Sequence, residues 1–277
     1  MIKDVVVNLS AGMDRDPVGE YAISLAHAFG AHLAAIAFAY DPIVQPVIGA
    51  GEAMAPEWFD AQRAKATDAA KVRNVKFEEN ARRVGVSAES RVLNTDAAQA
   101  AELFGRIARH FDFSLVRQNE PDKPAYDDLI VEAALFDSGR PVLIVPYIQT
   151  ENFKPDRVLV CWDGSRNAAR AVGDALPFLA RAKAIEVLTV GTEVKSGEIP
   201  GADIAHHLAR HGLSVQLQNV TASDLDVPNT ILSHAADVSA TLIVMGGYGH
   251  SRLREFVLGG ATRGILATMT VPTFMSH

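Results

Sequence analysis

The sequence holds a single cysteine, Cys161, among 277 residues. That excludes an internal disulfide framework and fits a reducing compartment. No apolar run comes near the ~18 residues that a membrane-spanning helix needs. The first residues, Met1-Ile2-Lys3-Asp4-Val5-Val6-Val7, run straight into a β-rich stretch and leave no space for a signal peptide. The cytoplasm is therefore the expected location. Positive charge is scarce as well: 26 Lys and Arg stand against 33 Asp and Glu, a net charge of −7. Residues 1–150 carry 15 against 21, and the remainder 11 against 12. Sequence-independent nucleic-acid binding depends on a basic surface and is not expected here, although the near-neutral second half leaves room for a local anion site. Also missing are a G-x-S-x-G elbow, a Walker lysine motif and H-E-x-x-H, although His207 and His211 are spaced four apart. These absences set aside a hydrolase elbow, a P-loop NTPase and a zinc protease, and no metal site is expected.

What is present is core-forming material, with 48% hydrophobic and 21% charged residues. The chain repeats itself once. Asp4-Val5-Val6-Val7-Asn8-Leu9-Ser10 and Arg157-Val158-Leu159-Val160-Cys161-Trp162-Asp163 are β-rich runs that stop at small polar residues. Each is followed by a helical pattern, at 18–29 and 167–180, and then by a second strand, at 32–39 and 185–190. Each half also closes alike, on Arg140-Pro141-Val142-Leu143-Ile144-Val145 and on Thr270-Val271-Pro272-Thr273-Phe274. Further helices are expected near 61–84, 97–109, 203–211 and 230–238. Strands apolar on both faces, alternating with helices, indicate parallel sheets covered by helices. A repeat this long is a duplicated domain. The polar stretch from Gln149 to Pro155 marks the boundary, giving domains at 1–149 and 155–277.

The chemistry lies in Leu242-Ile243-Val244-Met245-Gly246-Gly247-Tyr248-Gly249-His250-Ser251-Arg252-Leu253-Arg254-Glu255-Phe256-Val257-Leu258-Gly259-Gly260-Ala261-Thr262-Arg263. A buried strand ends at Met245, a glycine-rich turn follows, and a second glycine pair opens a helix. Glycines let backbone N–H groups converge on an anion, and the helix start adds its own amides and dipole. His250, Arg252, Arg254 and Arg263 supply positive charge. Glycines at a strand–helix turn can equally serve tight geometry alone.

Gly246-x2-Gly249-x9-Gly259 resembles the signature of the universal stress protein family, in which such glycines surround the triphosphate of ATP. The resemblance implies two tandem Rossmann-like, adenine nucleotide alpha hydrolase-like domains. Each would be an open five-stranded parallel sheet of order 3-2-1-4-5 with helices on both faces. It implies ATP as the cofactor, with Mg²⁺ as an option. The implied contacts are Trp162 and Asp163 at the end of the first strand, Val190 at the end of the second, and Gly246, Gly249, His250, Arg252, Gly259, Gly260, Ala261 and Thr262. From the residues alone, Asp163 also reads as a turn residue with Gly164 and Ser165, and Val190 as plain core. Gly260 departs from the family's Ser or Thr, which removes one phosphate hydrogen bond; Thr262 is the candidate substitute.

The first half lacks this loop, with no glycine between Phe113 and Ser138. Aligning Pro141 with Pro272 sets Asp128 and Leu129 opposite Gly259 and Gly260, and Ser10 opposite Asp163. Nucleotide binding of the family's kind is not expected there. The stretch 42–59, apolar and rich in Gly and Pro, reads as a long loop that covers a cleft, contacts a partner or packs on the surface. Cys161, in a core strand, reads as an inert thiol.

Three functions stay open. The leading one is a nucleotide-binding stress-response or regulatory protein with one live site and little or no turnover. The alternative is a small-ligand carrier or interaction module with a vestigial site. Last is slow ATP hydrolysis or self-phosphorylation. The resemblance further implies that domains pair through their last strands within the chain, with a further homodimer as an option; protein partners are not identified by these residues.

Overall fold

The computed structural model describes residues 1–10, 15–42, 56–121, 123, 126–191, 199–221, 227–248 and 260–277. The first half runs β1 (Asp4–Leu9), α1 (Pro17–Phe29), β2 (His32–Tyr40), α2 (Pro56–Arg83), β3 (Ala88–Thr95), α3 (Ala97–Ala108), β4 (Phe113–Arg117), α4 (Tyr126–Phe136) and β5 (Val142–Val145). The second runs β6 (Arg157–Cys161), α5 (Arg166–Leu179), β7 (Ala184–Gly191), α6 (Ala202–Arg210), β8 (Val215–Thr221), α7 (Val227–Asp237), β9 (Leu242–Gly246), α8 (Ala261–Thr268) and β10 (Thr273–Ser276).

All ten strands form one sheet, ordered β3-β2-β1-β4-β5-β10-β9-β6-β7-β8. Each half therefore has the order 3-2-1-4-5, with parallel pairing inside it. The halves join where β5 and β10 pair antiparallel, Leu143 opposite Phe274. The central strands are buried on both sides because helices cover both faces. One apolar layer gathers Val5, Val7, Leu115, Val158 and Val160 with α1 and α5; the other gathers Val6, Val116 and Ile243 with α3, α4 and α8.

Local signals explain the helix ends. Asp16 accepts the Gly19 N–H at 3.1 Å as N-cap of α1, and Gly30 ends that helix at φ 62°. Asp96 and Ser165 cap α3 and α5 in the same way. α2 starts at Pro56, five residues earlier than the apolar pattern suggested, because proline suits the first helical position. Pro56–Phe59 of the expected loop is thus helical, and the rest of that stretch, 43–55, lies outside the described residues. The stretch between β5 and β6 is docked: the Phe153 N–H donates to Ser24 Oγ at 2.8 Å, and its ring meets Tyr21, Phe29 and Phe178 within 5.9 Å. Among the described residues, no helix is long and apolar enough to cross a membrane.

Candidate functional site

In open parallel sheets, ligands settle beyond the carboxyl ends of the strands where the order reverses, here between β6 and β9. β6 leads into a turn built by short side chains. Asp163 Oδ1 accepts the Ser165 N–H at 2.9 Å, Gly164 takes φ 74°, and Ser165 Oγ accepts the Ala168 N–H at 3.1 Å. The turn role read for Asp163 is present, while its carboxylate stays exposed. Beside it opens a cavity of about 570 Å³. Trp162, Asp163 and Val190 line it, together with Pro200, Asp203 and Asn219. The Thr189 hydroxyl donates to Asn219 Oδ1 and fixes that amide. Val190 is half-buried and packs partly into the core as well. Cys161, at the end of β6, is only partly buried, and desolvation pushes its thiol up to about 12, with Asp163 adding to the shift. Neither Asn219 nor Asp203 carried a sequence signal, since polar residues near strand and helix ends are common.

The end of β9 approaches the first turn of α5. A Cβ on Gly246 would lie 2.5 Å from the Ala168 nitrogen and 2.7 Å from the Asn167 carbonyl carbon. Gly246 is thus required by packing, whatever it does for a ligand. The following turn is tied down from several sides. Asn167 Nδ2 donates to the Gly247 carbonyl at 2.6 Å. His277 Nδ1 lies 3.0 Å from Asn167 Nδ2 and 3.1 Å from that carbonyl. Tyr248, at φ 51°, donates its N–H to Thr262 Oγ1 at 2.9 Å. Thr262 is 2% exposed. Its hydroxyl therefore holds the turn as an acceptor. Gly260 is the N-cap of α8, without a side chain to cap it, and Ala261 begins the helix. Gly249, His250, Arg252 and Gly259 lie outside the described residues. Among the described residues, no group of three or more His, Cys, Asp or Glu could hold a metal ion.

The first half answers the same positions differently. Arg117 pairs with Val145 as Gly246 pairs with Ser276, so Arg117 occupies the place of Gly246. The connection from β1 to α1 is three residues longer than that from β6 to α5. The Arg117 side chain is 4% exposed and reaches Glu120 at 3.1 Å and Asp127 at 3.7 Å. Burial pushes the Asp127 carboxyl up to about 6, against the pull of Arg117. Asp16 is likewise pushed to about 6 by burial, against the Gly19 N–H and Arg73. Asp128 and Leu129 stand in the first turn and a half of α4.

Residues 155–277 match the model of the universal stress protein family. The second half of this chain is similar to that family. The fold of a universal stress protein from Archaeoglobus fulgidus extends the likeness across both halves: it covers 98% of this chain and 94% of its own, at 17% identity and a TM-score of 0.71. A functionally unknown protein from Pseudomonas aeruginosa covers 99% of this chain and 92% of its own, at 15% identity and a TM-score of 0.62. A universal stress protein solved in complex with cAMP covers 44% of this chain and 96% of its own, at 20% identity and a TM-score of 0.34. Among curated proteins, none matches this chain in sequence. The half that matches the family model carries the cavity at Trp162, Asp163 and Val190, and the half outside the match carries Arg117 at its strand end.

Proposed function

We propose that the second half binds an adenine nucleotide, ATP in the first instance, as a regulatory ligand with little or no turnover. The observation that carries this is the cavity of about 570 Å³ at the carboxyl ends of β6, β7 and β8, closed on one side by the start of α6. Its volume suits a nucleoside. Trp162 and Val190 offer apolar surface for a base, and the Asp163 and Asp203 carboxylates can accept from ribose hydroxyls. Backbone amides at the start of α8, from Gly260 onward, and the positive end of that helix suit phosphate. Mg²⁺, if bound, would shield phosphate charge. Slow hydrolysis, with Asp163 as its carboxylate, ranks below simple binding.

The first half is read as closed to nucleotide. Where the second half keeps a glycine, Arg117 fills the strand end with its own ion pairs to Glu120 and Asp127. The chain would then take up one nucleotide, and domains at 1–149 and 155–277 would differ in role.

A second reading, an interaction module with a vestigial site, draws on Gly260. Without the hydroxyl, the N-cap of α8 offers backbone alone, and phosphate affinity falls by the worth of a charge-assisted hydrogen bond, about 1.5–3 kcal/mol.

Calorimetric titration of the full chain with ATP·Mg²⁺, AMP and cAMP decides between them. One ATP per chain, weakened at least tenfold by Asp163→Ala and tightened by Gly260→Ser, supports the proposal. Two per chain would overturn the account of the first half. No binding of any of the three favours the interaction module. Gly246→Val is unsuitable, because its side chain would collide with the backbone of α5 and unfold the domain whether or not a ligand binds.

A further inference from the structure

Between α1 and α2 runs a second cavity, of about 420 Å³. It belongs to the first half alone in form, since α2 has 28 residues where its counterpart α6 has nine. Ile23, 7% exposed, and Phe77, 5% exposed, make an apolar floor. Val72, 70% exposed, forms the outer lip. Arg73 stands in this wall with its Nη1 buried and without a hydrogen-bond partner among the described residues. Asp16 Oδ2, on the opposite wall, is buried and without one too. The two charges act on each other, yet they form no ion pair among the described residues. Glu20, the other carboxylate at the rim, is engaged by Arg15 at 2.7 and 2.9 Å.

A buried guanidinium edge without an acceptor is a costly arrangement that a ligand oxygen would relieve. Its planar fork matches a carboxylate, and the lining of Arg73 and Lys76 against Asp16, with Glu20 engaged by Arg15, balances one negative charge better than the two of a phosphate. The apolar floor leading away from it suits hydrocarbon. We propose that this groove binds a small monocarboxylate with an aliphatic body, its head on Arg73 and its chain along Ile23 and Phe77. The site is independent of the nucleotide cavity, which lies in the other half of the sheet.

The probe is octanoate, titrated calorimetrically into the full chain with and without saturating ATP. One octanoate per chain is expected, with octanamide, which has the same tail and no charge, at least tenfold weaker. Arg73→Gln should weaken octanoate at least tenfold and leave ATP affinity unchanged. Ala69 lines the groove from an exposed position, so Ala69→Phe should block it without disturbing the core. The proposal is overturned by absence of saturable octanoate binding, by octanamide binding as tightly as octanoate, or by Ala69→Phe binding as wild type. Should Arg73→Gln fail to fold, as judged by circular dichroism, the amide and the Ala69→Phe arms decide alone.

Discussion

Asp16 combines two roles that oppose each other in energy. As N-cap it accepts the Gly19 N–H, and as a buried carboxylate it is held at about 6 rather than its usual 3.8. A carboxyl whose folded pKa is raised binds its proton more tightly in the folded state. Its contribution therefore favours folding most below about pH 4, falls as pH rises from 4 to 6, and stays low above. Asp16→Asn keeps the capping oxygen and removes the charge. The variant should match wild type near pH 4 and exceed it at pH 7.5 by on the order of 1–2 kcal/mol, read from urea unfolding at the two pH values. Thr262 argues the other way, since its hydroxyl is the partner of a turn amide. Thr262→Val should cost about 1–3 kcal/mol and lower the melting temperature, while Thr262→Ser restores it. Neither role was legible beforehand. A sequence shows that a hydroxyl follows a glycine pair, but which N–H it meets depends on how α8 closes back on β9.

Secondary-structure elements were more readable than contacts. Periodicity and glycine stops placed most helices and strands within a few residues, because each signal acts within one turn. The start of α2 was missed because the pattern before Ala61 is apolar without a period, and the proline at Pro56 reads equally as loop or helix start. Asp163 was legible as a turn residue from the Asp-Gly-Ser run, since that geometry is local; the cavity beside it was not, because its other wall comes from β7, β8 and the start of α6. The α5 cap gives a direct test at this scale. Ser165→Ala should lower stability by about 1 kcal/mol, and Ser165→Asp should hold it near wild type, measured by thermal denaturation.

For the whole molecule, the joint between β5 and β10 decides cooperativity. Phe274 of β10 meets Phe113 of the first half at 6.0 Å and Phe178 of the second at 5.1 Å. Phe153 of the connecting stretch packs on Phe178 as well. Phe274→Ala should cost about 3–5 kcal/mol and shift one unfolding transition rather than split it in two, seen by calorimetry as a single peak at lower temperature. The repeated strand order was expected from the family resemblance. The pairing of last strands within the chain, which the resemblance also implied, is what merges the two sheets into one.

The antiparallel joint also fixes how the protein responds to dilution. Two separate five-stranded units meeting along the same strands would part as their concentration fell, and any property of the pair would vary with the square of their number. Here the connecting stretch, anchored through Phe153, makes the meeting a first-order event within one chain. At any dilution the chain keeps the same sheet, joined between β5 and β10.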